Sequence, residues 1–272
     1  MLANYHTHTV RCNHAVGTER EYIEAAIKAG FKTLGFSDHV PQPYPERFVS
    51  GIRMSMEELP DYTETLSALK EEYRDRIEIL IGYEVEYTHK YFQPMLKEIC
   101  KFPIDYMILG QHYVPDEIEG HYVGMPTDSE ELLKAYADLV IEGMETGLFA
   151  YLAHPDLINF VGSERAYRHQ MTRIIEAATE LGIPLEVNIY GFVDRRHYPC
   201  ERFFRLAAEM GAEFIVGCDA HKPEMLVTTD GIPPLKRFLK GCGITVGDNV
   251  LHMTVDFKAK AAAYLEKNAV LQ

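Results

Sequence analysis

Thr33-Leu34-Gly35-Phe36-Ser37-Asp38-His39 sets a short apolar run against a polar Ser-Asp-His end. Runs of this kind, rich in Leu, Phe and Thr, read as strands. The arrangement recurs. Apolar stretches also precede His6-Thr7-His8, Cys12-Asn13-His14, Gln111-His112, His154-Pro155-Asp156 and Cys218-Asp219-Ala220-His221, and Gly82-Tyr83-Glu84-Val85-Glu86 ends another. Seven of the twelve histidines lie in these segments. Histidine and carboxylate are the usual ligands of zinc, iron and manganese.

The strands are expected at residues 2–5, 33–36, 77–83, 106–110, 149–153, 184–187 and 213–217. Helical stretches separate them. One starts after Thr18, whose partner Glu21 completes a capping box. Another follows Ser129, with Glu130 and Glu131 in its first turn. A third covers Glu164–Leu181 and stops at Gly182-Ile183-Pro184; a fourth, near residues 200–210, ends at Gly211. Strands alternating with helices predict βαβ units and a parallel sheet. Seven strands predict a barrel one short of the eight-stranded type. An open doubly wound sheet fits less well, because it gathers its site at one switch point. Here the ligand types follow six different strands, and in a barrel they converge on one mouth. Strand six alone ends otherwise, in Asn188. Residues 40–54, with Pro41, Pro43 and Pro45, form a loop at that mouth, and residues 254–272 are expected to be a terminal packing helix. The prolines of Gly231-Ile232-Pro233-Pro234 mark a turn.

A chain of 272 residues can bury one large core, so a single domain over 1–272 is expected. The net charge of -14 argues against a nucleic-acid binder, which carries a basic face. The opening Met1-Leu2-Ala3-Asn4-Tyr5-His6 lacks the basic start and apolar stretch of a signal peptide, and no run approaches a membrane span. Five scattered cysteines without a C-x-x-C fit reduced thiols, so a cytoplasmic location is expected. Cys12 and Cys218 flank ligand candidates and read as neutral neighbours, with a metal ligand or redox-sensitive thiol as the less favoured reading of each. There is no G-x-x-x-x-G-K-[ST], no G-x-G-x-x-G after a strand and no G-x-S-x-G.

One strand-end histidine can be a polar residue satisfied by its neighbours. The whole set cannot easily be so, because each buried imidazole needs a partner and a metal supplies one to all. The pattern H-T-H, a further His, S-D-H, G-x-E, a single His, H-P and D-A-H over residues 6–221 resembles the polymerase-and-histidinol-phosphatase (PHP) family, and in length its free-standing histidinol-phosphatase branch. That resemblance implies a distorted (β/α)7 TIM-like barrel with two to three divalent metal ions (Zn, Fe or Mn) at its C-terminal mouth. It implies that His6, His8, Glu84 and Asp219 hold the first ion. Glu84 then bridges to a second, held with His112 and His154, while His14, His39 and His221 hold the third. Three such ions bring about +6 and two carboxylates remove about 2, leaving a site of roughly +4 that attracts a phosphate ester to an acidic protein.

The implied activity is metal-dependent hydrolysis of L-histidinol phosphate, a small phosphorylated substrate, with Asp219 and His221 at the reacting centre and Asp219 orienting the nucleophile. Arginines at the mouth are candidate phosphate clamps. Arg165 follows strand five. Arg195 and Arg196 follow strand six, and the sequence does not choose between them. His197 is a candidate leaving-group acid, and Lys222 a lesser phosphate candidate. Glu19 reads as a helix-start charge rather than a substrate contact, Glu86 as a partner of a ligand, and Tyr113 as a pocket wall or packing residue. His89, His121, His169 and His252 match no motif. Two other readings keep the metals: an enzyme for another small phosphoester or a nucleotide, and a metal-binding protein without catalysis.

Overall fold

The computed structural model describes residues 1–251 and 256–269. Eight strands are present among them: β1 (Ala3–Asn4), β2 (Thr33–His39), β3 (Glu78–Val85), β4 (Tyr106–Leu109), β5 (Tyr113–Val114), β6 (His121–Tyr122), β7 (Leu185–Asn188) and β8 (Phe214–Gly217). The nine α-helices among the described residues are α1 (Glu19–Ala29), α2 (Leu59–Tyr73), α3 (Phe92–Ile99), α4 (Glu130–Glu145), α5 (Glu164–Leu181), α6 (Ile189–Val193), α7 (Glu201–Glu209), α8 (Pro233–Gly241) and α9 (Phe257–Ala269).

β1, β2, β3 and β4 pair in parallel in that order, and β7 pairs in parallel with β8. The expected strand at 149–153 joins the two groups without becoming a regular strand. Leu152 forms parallel bridges to Leu109 and Leu185, and Ala153 N–H donates to Leu109 O at 2.8 Å. Left-handed residues bound the segment, Gly147 at φ +71 and His154 at φ +29. Thr7 then bridges Ala220, beyond β8, closing the ring of parallel pairings back onto the segment after β1. The expectation of a seven-membered barrel is therefore met, with β1 and the fifth member reduced to a few residues. β2 and β3 run further than expected, so that Asp38, His39 and Glu84 lie within strands.

The helix signals act as read. Thr18 Oγ1 accepts from Glu21 N–H while Glu21 accepts from Thr18 N–H, the reciprocal cap of α1. Ser129 caps α4, Ser163 caps α5, and Gly182 at φ +64 ends α5. Helices α2, α3 and α6 and the antiparallel β5–β6 hairpin lie in stretches where no element is expected from sequence, and Pro233 and Pro234, expected in a turn, instead open α8, where proline's missing N–H costs no helical bond. The terminal helix is α9; His252 and Thr254 lie outside the described residues.

Two separate cores explain the shape. The larger packs strand faces such as Leu34, Phe36, Ile79 and Val187 against the helices. The smaller fills the interior of the ring: Ala3, Tyr5, Tyr106, Ile108, Tyr151, Ala153 and Ile215. Tyr106 is the plug. Its hydroxyl donates to Tyr5 O at 2.7 Å, and its ring lies over Gly35 and Gly82 on neighbouring strands. A Cβ at Gly35 would stand 2.2 Å from the Tyr106 hydroxyl oxygen. Gly35→Ala is therefore expected to overpack the interior and lower stability by about 1–3 kcal/mol, read as a shift of the denaturant midpoint at unchanged m-value.

Candidate metal centre

Above that plug, the C-terminal ends of the barrel members bring nine side chains together. His6 and His8 alternate along an extended segment, so both turn the same way, with ring centroids 5.2 Å apart. Glu84 stands in register with His39 of β2 and Ile108 of β4. Its Oε1 lies 2.7 Å from His154 Nε2 and 3.5 Å from His112 Nε2; its Oε2 lies 3.0 Å from His39 Nδ1 and 3.6 Å from the Nε2 atoms of both His6 and His8. Asp219 Oδ1 is 3.1 Å from His8 Nε2 and 3.5 Å from His6 Nε2. His221 stacks on His8 at 4.1 Å, and its Nε2 faces His14 Nε2 at 2.9 Å. His154 and Asp219 both adopt positive φ, +29 and +50. Non-glycine residues hold such angles at a cost of order 1–3 kcal/mol, and this strain collects at functional sites.

Three of the histidines are aimed by carboxylates. His6 Nδ1 donates to Glu186 at 2.8 Å, His8 Nδ1 to Asp38 at 3.3 Å and His112 Nδ1 to Glu86 at 3.1 Å. An imidazole that donates from Nδ1 presents its Nε2 lone pair on the other side. Four polar atoms at the centre are buried with no hydrogen-bond partner: His6 Nε2, His8 Nε2, His154 Nδ1 and Glu84 Oε2. Orphaned buried acceptors are costly and rare, and a cation would satisfy them together. The donor set therefore fits a metal. Ligand atoms fall within 4.8 Å of one another in the groups His6–His8–Asp219, His6–Glu84–His154, His8–His39–Glu84, His14–His39–His221 and His8–Cys12–His221. His112 joins none of these close groups; it faces Glu84 and packs edge-on against His39 and His154.

The electrostatics of the cluster follow from burial set against opposite charge. Burial alone would push His6 down, but Glu186, Asp219 and Glu84 outweigh it and hold its imidazolium well above the ordinary value. Burial opposes ionisation of Glu84 and Asp219 too, yet the surrounding histidines keep both carboxyls well below the carboxylate range. His221, buried and beside His8, is pushed down to about 3. The centre thus keeps Glu84 and Asp219 ionised and His221 neutral, as metal binding requires, while the proton on His6 is one that a bound cation would displace.

A cavity of about 320 Å³ opens over the cluster, lined by His14, His39, Glu84, His112, His154, Asp219 and His221 below and by Ile52, Tyr113, Tyr122, Tyr190, Tyr198 and Arg196 around it. His6 and His8 lie beneath it, fully buried. A larger hollow of about 890 Å³ lies at the opposite end of the strands, among Met107, Phe149 and Phe257, with no histidine among the described residues of its wall.

The arginine expectations divide. Arg196 lines the cavity, its guanidinium 4.2 Å from the Tyr190 ring centroid and 3.0 Å from Asp194 Oδ2. Arg195 does not. It sits exposed at φ +56, in the turn after α6 that carries the next residue inward. Arg165 does not either, because it is exposed in the first turn of α5. His197 is turned away from the cavity, with its Nε2 2.6 Å from Leu157 O, so the position of a leaving-group acid is not where the structure puts it. Lys222 is exposed and off the cavity wall. Glu19 pairs with Arg11 at the start of α1, as a helix-start charge should. Tyr113 is a cavity wall, Glu86 partners a candidate ligand, and His89, His121 and His169 are exposed.

The residue that sequence reading missed is Glu186. It is fully buried and holds His6 Nδ1, His154 N–H and Asn188 Nδ2 at once. The available signal was a carboxylate inside the otherwise apolar strand Leu185-Glu186-Val187. Tyr122 and Tyr190 were missed as well. They reach the cavity through the β5–β6 hairpin and the α6 turn, neither of which was assigned.

Asp156, two residues beyond His154, is buried with Oδ2 accepting from Cys200 N–H at 2.7 Å and Oδ1 unpartnered. Burial pushes its carboxyl up to about 6. Between the ordinary value near 3.9 and this one, the unfolded chain gives up a proton that the fold retains, so stability falls as pH rises through that window. Asp156→Asn is expected to remove that component, roughly 2–3 kcal/mol at neutral pH, leaving a flatter profile in denaturant unfolding of metal-free protein from pH 4 to 7.

The model of the PHP domain matches residues 4–190. A protein named probable histidinol-phosphatase in Deinococcus radiodurans is 32% identical over 231 residues, 82% of this chain and 87% of that protein. Another of that name in Schizosaccharomyces pombe is 27% identical, over 90% of this chain and 88% of its own. The structure of histidinol phosphate phosphatase from Lactococcus lactis, complexed with Zn, L-histidinol and phosphate, shares the fold at a TM-score of 0.68 and 19% identity, covering 92% of this chain and 98% of that one. A domain match over well over half the chain, and a relative at 32% identity over most of it, place this protein in the PHP domain family.

Proposed function

We propose that the chain is a single PHP domain over 1–272 that hydrolyses L-histidinol phosphate to L-histidinol and phosphate with two to three divalent ions, Zn, Fe or Mn. The observation that carries this reading is the set of four buried, partnerless ligand atoms on His6, His8, Glu84 and His154 beneath an aromatic cavity with an arginine on its rim. In this reading His6, His8, Glu84 and Asp219 hold one ion, Glu84, His112 and His154 a second, and His14, His39 and His221 a third. When bound, the ions supply Lewis-acid charge to a phosphoryl group and a hydroxide nucleophile near neutral pH.

The chain's own residues do the rest. Arg196, the cation among the cavity walls other than histidine, offers its guanidinium to the phosphoryl oxygens. Its stacking on Tyr190 holds the planar group in place. Tyr113, Tyr122, Tyr190 and Tyr198 present aromatic faces suited to a flat imidazole ring and a nearby ammonium. Asp219 Oδ2 accepts from Asn188 Nδ2 at 3.1 Å, which fixes the carboxylate and leaves Oδ1 toward the histidines to orient the nucleophile. The cavity, about 320 Å³, suits a small ester rather than a polymer, in keeping with the net charge of -14. The names of the curated relatives and the zinc, histidinol and phosphate of the Lactococcus complex support this substrate. Five unpaired cysteines suit a cytoplasmic enzyme, and among the described residues no helix is long and apolar enough to cross a membrane.

Phosphate release from histidinol phosphate, p-nitrophenyl phosphate and nucleoside monophosphates tests the reading. Turnover is expected to favour histidinol phosphate, to vanish after chelation and to return with metal. Fully loaded protein that turns over none of these would sink it. Arg196→Ala is expected to lower kcat/KM about 10²-fold with metal content unchanged, as measured by elemental analysis. Glu186→Ala should instead weaken metal binding by about 10- to 100-fold, read by chelator competition, because His6 loses its aim.

A further inference from the structure

Arg53 is an interior arginine, 3% exposed, on the proline-rich loop of residues 40–54. Its Nη2 donates to Glu86 Oε1 at 3.2 Å, its Nε to Glu117 Oε2 at 2.7 Å and its Nη1 to Val40 O at 3.1 Å. Glu86 Oε1 is the same oxygen that accepts from His112 Nδ1 at 3.1 Å. Glu117, on the loop between β5 and β6, also accepts from Ser50 Oγ at 2.6 Å. Asn13, beside His14, donates to Arg53 O at 3.2 Å. One buried guanidinium therefore ties together the partner of His112, the loop that carries Ile52 and the hairpin that carries Tyr113 and Tyr122.

A guanidinium buried this deeply is retained only where its charge and donors are answered, and one beside two carboxylates fixes both in position. Packing alone would be met by an apolar side chain of similar length. His112 is the candidate ligand aimed by the carboxylate that Arg53 holds. It joins no close ligand group, and its Nε2 stands 3.5 Å from Glu84 Oε1. Its ring packs edge-on against His39 and His154, and the one hydrogen bond that its side chain makes is to Glu86.

We propose that Arg53 is a positioning residue that fixes His112 through Glu86 and, through Glu117, sets the cavity wall against the metal centre. The inference rests on the metal reading above. Arg53 touches neither substrate nor metal. It restricts Glu86 to the rotamer that turns the His112 Nε2 toward Glu84. The same side chain keeps Ile52 and the tyrosine hairpin at a set distance from the ligands, so the substrate wall and the metal site share one anchor.

The test is metal affinity by chelator competition, with zinc as probe, alongside kcat and KM on zinc-loaded protein. Arg53→Met is expected to bind the most weakly held ion about 10- to 100-fold less tightly, with kcat recovering at saturating zinc while KM stays raised. Glu117→Gln should raise KM and leave zinc affinity within about twofold. The double variant Arg53→Met/His112→Ala should bind zinc no more weakly than His112→Ala alone, since both changes remove one interaction. Wild-type zinc affinity in Arg53→Met, or losses that add in the double variant, would overturn the proposal. If Arg53→Met does not fold, Arg53→Lys decides. Lysine reaches one carboxylate at a time, so affinity at least threefold lower supports the proposal and wild-type affinity ends it. Wild-type protein that binds no zinc would remove the metal reading itself, a result distinct from tight wild-type binding that the Arg53 variants leave unchanged.

Discussion

Glu84 lies within 3.6 Å of nitrogen atoms on five histidines, in a place where its side chain is almost wholly shielded from water. A bare carboxylate there would be too costly to keep ionised, and His39 and His154 would lack the carboxylate acceptor that His6, His8 and His112 find in Asp and Glu side chains elsewhere. Gathered around one another, they hold the carboxyl ionised and still leave lone pairs unanswered. The strands deliver side chains from six barrel members to one point, and Gly110, where a Cβ would stand 2.1 Å from Glu84 Oε1, leaves room for that carboxylate. The barrel's mouth is thus an arrangement of polar groups that depend on one another for their partners.

Around this centre the structure sorts residues by distance. Glu186, Asp38 and Glu86 touch the histidines and choose which ring nitrogen faces inward. Asn188 links Glu186 to Asp219 and also caps α6, so one side chain connects the carboxylates to the turn bearing Arg196. Arg53 does the same on the other side of the cavity. Helix caps and ligand partners are therefore shared. The rigidity that a metal site needs is supplied by the elements that build the barrel.

What was legible in the chain was the alternation of apolar runs with capped helices, and the polar residue types at the run ends. The reason is local. Strand periodicity, the Thr18–Glu21 box and the Gly182 stop act over a few residues, and each is met in the structure. The arginines illustrate the opposite case. Arg195 and Arg196 are adjacent and chemically identical, yet a single left-handed residue at Arg195 sends one to solvent and the next to the cavity. His197, next again, turns to the carbonyl of Leu157. No pattern of residue types encodes those directions.

Alone, then, the sequence determined the parallel barrel, the seven histidines with Glu84 and Asp219, and the acidic surface. These follow from short-range propensity, from burial pattern and from a motif series that few folds share. The tertiary structure decided which groups answer one another. Glu186 meets His6 across 180 residues and Arg53 meets Glu86 across 33, and the cavity draws its walls from a hairpin and a helical turn far apart in the chain. Pairings at such separations depend on how buried charges find partners once the barrel has closed, and that is settled by packing in three dimensions, not by neighbours along the chain.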